Sequence, residues 1–467
     1  YLAATRPTQG YQGYAGPGWA GHVMVPIEKA FARVGADRLV QVDESVLAAV
    51  MSSPTLFSPA LQRIPQQAEK IQRELNRSVW NGNVRQSSDR RALNPAFSKV
   101  LLWEISNTGL KTQDVFERSI GNLHETVVSS ILDECGFLAS LAIDIMDRNL
   151  YERSDDCRWW ALTTAFREAL AGQGGASPEQ LAGVLRYING LYTVYTNLVV
   201  FDANGNLVAT SNADSNTGVG QPIVEDWVRR TLQLKDVQEY TVSAFAATSL
   251  YGGRPTYIYA AAIRAPGDAS RVVGGIGIVF DSAPQFAAML RDALPRNEAG
   301  EVAPGCFGVF VERSRRVIAS TNPEIPIGEV LSVDEAFVAL GNGQGFSNIV
   351  AFQGQYYAVG SKVSSGYREY KGPNDSYRND VVALVFIPLG QVGEGAVQHN
   401  LRREAVQLRQ RARSPEVGET TEVASFYIGE EWFGIPSVKV VEAIDIAGIT
   451  PIPGMPDYVR GVLMFQQ

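Results

Sequence analysis

The chain has 467 residues, enough for about three domains. Its 45% hydrophobic and 19% charged residues are the balance of an ordinary globular protein with ample core. A net charge of −8 excludes the phosphate-neutralising surface that nucleic-acid binding requires, so DNA and RNA are not expected partners. The three cysteines, Cys135, Cys157 and Cys306, show no CxxC or Cys/His spacing. They are expected as buried thiols in a reducing compartment, not as a metal site or disulfide framework, and no cofactor is expected. No run of about 18 apolar residues marks a membrane span.

The first residues recur later. Gly10, Tyr11, Tyr14, Gly16 and Pro17 return as Gly366, Tyr367, Tyr370, Gly372 and Pro373. Tyr1 falls opposite Tyr357, and Val23-Met24-Val25-Pro26 answers Val385-Phe386-Ile387-Pro388. In the later copy this stretch closes a module whose earlier strands are present. Residues 1–31 therefore read as a loop and last strand, the tail of a preceding module inside which the chain is cut. Residues 32–112 read as a helical linker, polar and broken by Pro65 and by a turn at Trp80-Asn81-Gly82-Asn83.

A long helix is expected over residues 113–175, with Thr112 or Asp114 as its cap. Phe116, Ile120, Leu123, Val127, Ile131, Leu138, Leu141 and Ile145 draw one apolar stripe along it. That stripe either packs on its own domain or forms the seam of a homodimer.

Two blocks on a shared plan follow, residues 176–300 and 301–392. Each opens on a hairpin: Leu198-Val199-Val200-Phe201 with Leu207 to Asn212, and Phe307 to Val311 with Val317 to Asn322. Each has a helix-bearing middle, around Trp227 and Leu232 in the first and Val333 to Leu340 in the second. Each ends on two strands, Thr256–Ile263 with Val272–Asp281, and Gln355–Ser361 with Val381–Pro388. Gly274-Gly275-Ile276-Gly277 lacks the spacing of a nucleotide loop and reads as a central strand with close backbone approach. Residues 393–418, rich in arginine and stopped by Ser414-Pro415, read as a linker helix before a new β unit at 419–467. The fold class is thus α+β, with antiparallel sheets flanked by helices.

The paired blocks behind a long helix resemble the double Cache sensor domain, which stacks two PAS-like modules along one helix. The resemblance implies a small-molecule ligand in the distal module, residues 176–300, with residues 301–392 as the proximal one. The stretch from Asn149 to Trp160 is similar to the point where helix meets distal module in such sensors. In the amino-acid-binding branch an Arg-x-Trp motif there holds the ligand carboxylate, and Arg158-Trp159-Trp160 fits it. Ala161 stands where that branch has an aromatic residue, and its downstream Asp has no counterpart. Arg158 and Trp160 are thus candidate ligand contacts, a planar fork and a stacking wall. Tyr195, Tyr251, Tyr257 and Tyr259 are candidate hydroxyl donors. Each tyrosine reads equally as a core residue with a polar tip, and Arg158 as a structural partner of Glu152, Asp155 or Asp156.

Ser425 to Pro436 reads as strand, turn, strand, and Ile449-Thr450-Pro451-Ile452-Pro453-Gly454-Met455-Pro456-Asp457-Tyr458-Val459-Arg460-Gly461-Val462 follows. This closely resembles the opening of CheW-like chemotaxis coupling domains. The resemblance implies small β-barrels and, as partners, chemoreceptors and a CheA-type histidine kinase. Phe465-Gln466-Gln467 stand where the family has an Arg-Gly pair that neutralises the Glu matched to Glu442.

No nucleophile–base pair, paired carboxylate site or phosphate loop is present, so a catalyst is not expected. The reading is a cytoplasmic sensor that couples ligand binding to a chemotaxis array. The alternative is a scaffold of tandem spacers with a docking domain.

Overall fold

The computed structural model describes residues 1–8, 10, 15–30, 50, 59–88, 95–174, 176–212, 218–297, 299–367, 377–392, 423–428, 431–436, 439–440, 449–450, 452, 455–456 and 460–462. The linker helix expected over 393–418, Glu442 and Phe465–Gln467 lie outside them.

Strands β1 (Leu2–Pro7) and β2 (Ala20–Val25) form an antiparallel hairpin, followed by a helical turn α1 (Ile27–Ala30). Helix α2 (Pro59–Ser88) runs unbroken through Pro65 and Trp80–Asn83, against the breaks expected there. Its register is held by packing, since a Cβ on Gly109 would lie 2.4 Å from Leu75 Cδ2.

Helix α3 (Pro95–Trp160) has 66 residues. No proline lies between Pro95 and Pro178, so none interrupts it before Trp160. The expected start near residue 113 is therefore too late. Thr112 donates its hydroxyl to the Thr108 carbonyl at 2.8 Å and Asp114 pairs with Arg118 at 2.8 Å, both inside the helix.

The expected stripe holds in the later part of α3, where Ile131 and Leu138 are buried and Val127, Leu141 and Ile145 pack against the cores, and fails at Phe116 and Leu123, which are exposed. Val128, Leu132, Cys135, Ala139, Ala142, Ile143 and Met146 widen the buried face. The small ones among them are residues that a ranking by hydrophobic size passes over. By length and composition, Leu101–Trp160 is apolar enough to cross a membrane, a feature the apolar-run criterion did not find; 44% of its most apolar stretch is buried within the protein.

After α3 come α4 (Thr164–Leu170) and α5 (Pro178–Gly190). A capping box between Ser177 and Gln180 opens α5. The distal sheet contains β3 (Tyr195–Asp202), β4 (Leu207–Thr210), β5 (Thr241–Val242), β8 (Ile258–Ala265) and β9 (Asp268–Phe280), in the order β4-β3-β9-β8-β5. A small pair, β6 (Ala246–Ala247) and β7 (Pro255–Thr256), sits beside it, and α6 (Asp226–Leu232) supplies the helical middle.

Helix α7 (Ser282–Ala293) leads into the proximal sheet of β10 (Phe307–Val311), β11 (Val317–Ser320), β12 (Gly345–Phe352), β13 (Gln355–Val363) and β14 (Val382–Gln391). Its order, β11-β10-β14-β13-β12, is that of the distal sheet. The helical middle expected at Val333 to Leu340 shrinks to a single 3₁₀ turn, Glu335–Phe337.

The likeness extends to register. The pairs Val199↔Thr210, Val200↔Ala209 and Phe201↔Leu207 answer Val309↔Ser320, Phe310↔Ala319 and Val311↔Val317, each with one irregularity before the last pair. The turn needs a left-handed residue, Gly205 at φ 83° in one copy and Arg315 at φ 66° in the other. Two half-sheets of like order mounted on one helix, as expected, are what the chain forms.

The N-terminal repeat behaves the same way. All six pairs of β1 with β2, from Leu2↔Val25 to Pro7↔Ala20, match Ala358↔Ile387 to Val363↔Val382. At the other end, β15 (Val423–Ile428) and β16 (Glu431–Pro436) form the expected hairpin, and Thr450 bridges Val462.

Side chains of each sheet alternate between two cores. Leu198, Val200, Tyr259 and Ile278 face α3, α7 and part of the proximal module, while Val199, Phe201 and Ile258 pack on α6. Gly274, Gly275 and Gly277 of β9 lie against Phe201 and Trp227, as a central strand requires. Cys135 and Cys157 are buried as expected, but Cys306 is only partly so, because it sits in the turn ahead of β10.

Helix α3 meets β13 at Gly360, where a Cβ would lie 2.2 Å from the Cys135 carbonyl carbon and 2.4 Å from the Gly136 nitrogen. Backbone therefore touches backbone, and no side chain fits between. Gly360→Val is expected to cost about 2–3 kcal/mol, in the range of core overpacking. Urea unfolding of the two proteins, with unchanged slope, checks this.

Candidate functional site

The last turns of α3 project Arg153, Asp156, Cys157 and Trp160 along one side, at steps of three and four residues. The start of β3 brings Tyr195 against them. Trp160 meets Tyr192 edge-on at 5.0 Å and Tyr195 at 5.5 Å. Tyr195 donates its hydroxyl to Asp156, and the Arg153 guanidinium lies 5.2 Å from the Tyr195 ring centroid.

Arg153 is 5% exposed. Its Nε makes no hydrogen bond, only an ion pair with Asp156 at 3.8 Å, while Nη1 donates to Asn149 and Nη2 to Glu152. This corner combines three aromatic rings, a cation and a carboxyl group, with Tyr192 38% exposed at its rim. It offers a wall for stacking and both signs of charge for a small polar molecule.

Arg158 points elsewhere. It pairs with Asp155, donates from Nε to the Ser154 carbonyl and from Nη1 to the Gln238 carbonyl, and lies 5.5 Å from the Tyr240 ring. Beside it, Gln233, Leu234, Lys235, Gln238, Glu239 and Tyr240 line an open dish of about 590 Å³. A carboxylate could take the Arg158 fork only by displacing Asp155. Arg158 and Trp160 thus belong to different surroundings, because two helical positions put their side chains about 200° apart.

Of the expected tyrosines, Tyr195, Tyr257 and Tyr259 share the sheet face toward α3. Tyr251 packs with the core on the opposite face, so the four do not converge. Its hydroxyl donates to Asp281 at 2.5 Å, the Arg254 guanidinium lies 4.0 Å over its ring, and burial pushes its pKa up to about 12. Tyr257 packs on Phe245 and Phe286, and Tyr259 shares a 2.9 Å hydrogen bond with Tyr377 of the proximal module. Burial raises the pKa of both, and of Tyr195, so all three stay neutral hydroxyls.

Arg153, Asp156 and Tyr192 were not among the expected contacts. For Arg153 and Asp156 the only signal was their spacing from Trp160, which is shared by any helix side; Tyr192, in the turn before β3, had none. Among the described residues, no group of three or more His, Cys, Asp or Glu is placed to hold a metal ion.

Burial raises the pKa of Asp156 above its ordinary 3.8, outweighing the Tyr195 hydrogen bond and the attraction of Arg153. For a carboxyl with a raised folded value, the folded state holds the proton more tightly than the unfolded chain. Its contribution to stability is full below 3.8 and declines as pH rises through the folded value. Asp156→Asn removes that decline. Its stability relative to wild type is expected to improve from pH 3.8 upward and then level off, as read by urea midpoints across pH.

Solved structures similar to this chain include sensor and ligand-binding domains. The sensor domain of the V. cholerae histidine kinase DctB matches at 15% identity and TM-score 0.38, covering 57% of this chain and 98% of that one. The ligand-binding domain of the Pseudomonas aeruginosa PAO1 amino acid chemoreceptor PctB, in complex with L-Arg, matches at 12% identity and TM-score 0.37, covering 61% and 94%. An extracellular ligand binding receptor from Desulfohalobium retbaense matches at 12% and 0.37 over 54% of this chain; the chain spans 40% of its length. No curated protein sequence matches. Residues 422–466, which contain the C-terminal hairpin and the bridge beyond it, match the family model described as CheW-like domain.

Proposed function

We propose that this chain is a chemotaxis-type signal-transduction protein that senses a small molecule and couples to a receptor and CheA-type kinase array. One observation carries the reading: a single 66-residue helix bears two half-sheets of identical strand order, ahead of a CheW-like match at 422–466. The ligand occupies the corner of Arg153, Asp156, Trp160, Tyr192 and Tyr195, where helix end and distal sheet meet. Ligand there favours one packing of α3 over another, and differential affinity for the two packings is the signal. The protein acts without catalysis and in the cytoplasm, where CheW-like domains work.

It acts as a homodimer. Leu101, Ile105, Phe116 and Leu123 lie exposed along the helix side away from the sheets, at spacings of a helical seam. Between α2 and α3 a groove of about 580 Å³, lined in part by Ile64, Ile71, Ile105 and Phe116, continues that apolar side.

A second reading, a non-sensing scaffold, is favoured by one feature: Trp160, Tyr195 and Tyr259 are 6% exposed or less, and Arg158 already has a partner. Thermal shift against amino acids, organic acids and purines separates the two. A sensor gains several degrees at about 100-fold ligand excess over Kd, and the gain is lost in Trp160→Ala. No gain with any compound favours the scaffold. Light scattering is expected to give twice the chain mass, falling to one in Phe116→Glu/Leu123→Glu; a wild-type monomer contradicts the dimer.

A further inference from the structure

Asp147 lies on α3 between the close contact at Cys135–Gly136 and the ligand corner, and it is 1% exposed. Among the described residues, no basic side chain forms an ion pair with it. Instead it accepts from the Ser364 hydroxyl at 2.7 and 2.9 Å, from the Gly366 amide at 3.0 Å and from the Asn379 side-chain amide at 2.7 Å. All three partners flank the β13–β14 connection of the proximal module. Burial dominates its ionisation and raises its pKa despite these bonds. A carboxyl buried without a cation is costly for stability alone.

The same connection reaches the distal module. Tyr367 and Tyr377 form a backbone bridge, with N–H donors at 3.0 and 2.9 Å in the two directions. The Tyr367 ring lies 5.0 Å from that of Tyr151, one helical turn after Asp147. Tyr377 is 3% exposed and shares its hydroxyl with Tyr259 near the start of β8. Tyr377, Val381 and Ala383 are thereby part of the core that contains Trp160 and Tyr195.

We propose that Asp147 is a positioning residue: it latches the proximal strap, residues 364–367 and 377–381, to α3, so that Tyr377 holds β8 of the distal module at a fixed helix position. Asp147, Tyr151 and Ser154 follow one side of the helix toward Arg158, so a shift of the helix end is felt at the strap. The latch makes the distal core and the proximal sheet respond to one helix setting. This rests on the distal corner as the sensing end, but the coupling itself can be read without any ligand.

The test is hydrogen exchange on the full chain, wild type against Asp147→Asn. The variant keeps the shape but turns an amide toward groups that donate. Exchange is expected to rise about tenfold or more at the strap and also at β8 around Tyr259, while the β3–β4 and β10–β11 hairpins hold. Arg148→Ala, on the exposed side of the next position, leaves both unchanged. Tyr377→Phe, which keeps the ring, raises exchange at β8 alone. If Asp147→Asn does not fold, Asn379→Ala serves with the same expectation. A rise confined to residues 364–367, with β8 unmoved in every variant, overturns the proposal and leaves Asp147 a local structural group.

Discussion

Backbone contact between α3 and β13 is the constraint on which the rest of the structure depends. At Gly360 the strand comes so near Cys135 and Gly136 that no Cβ fits, and Cys135 donates its thiol to the Ala358 carbonyl at 3.3 Å. Ala139 and Ala142 continue the small-residue track toward the distal sheet. Packing this close is stiff, because interiors are as dense as organic crystals. A helix seated in this way moves with its sheet in discrete steps and does not slide gradually. The two half-sheets therefore share a rod.

That rod carries a buried carboxyl group, Asp147, and a half-buried one, Asp156, both with ionisation opposed by burial. Each sits where α3 meets polar groups of another element. Asp156 faces the aromatic corner, and Asp147 faces the connection that enters the neighbouring module. Polar groups in such positions fix one geometry, since any other leaves a buried donor or acceptor unpaired. The apolar contacts hold the sheets on the helix; the carboxyls determine where along it they sit.

Much of this was legible in the sequence. The two hairpins and their terminal strands were readable because β-branched runs, turn residues and a repeated order all agree. The β1–β2 pairing was not foreseen, since residues 1–31 read as a loop and one last strand, although the alignment of Tyr1 with Tyr357 and of Pro26 with Pro388 carries its register. Other features were not. The stripe's Ile131 and Leu138 are buried, but its Phe116 and Leu123 are not, and the close contacts of α3 run through Cys135, Gly136, Ala139 and Ala142. Pro65 suggested a break that packing on α3 overrides. Arg158 fitted a motif, yet its fork is taken by Asp155 one turn away. Asp147 had no local signature at all, since Ser364, Gly366 and Asn379 come together with it only through the fold. The β1–β2 hairpin shows the same logic from the opposite direction. Its register is that of β13–β14, yet all of its strand residues are exposed, because register is set by the chain and burial by its surroundings.

The central claim, two like half-sheets mounted on one helix, is tested most directly by amide–amide and Hα–Hα nuclear Overhauser contacts. The account predicts cross-strand contacts joining Val199 to Gly277 and Val309 to Leu384, together with contacts from Cys135 and Gly136 to Ala358 and Gly360. Strand contacts placing β10 beside any partner other than β14 and β11, or an absence of contacts between α3 and β13, would contradict it.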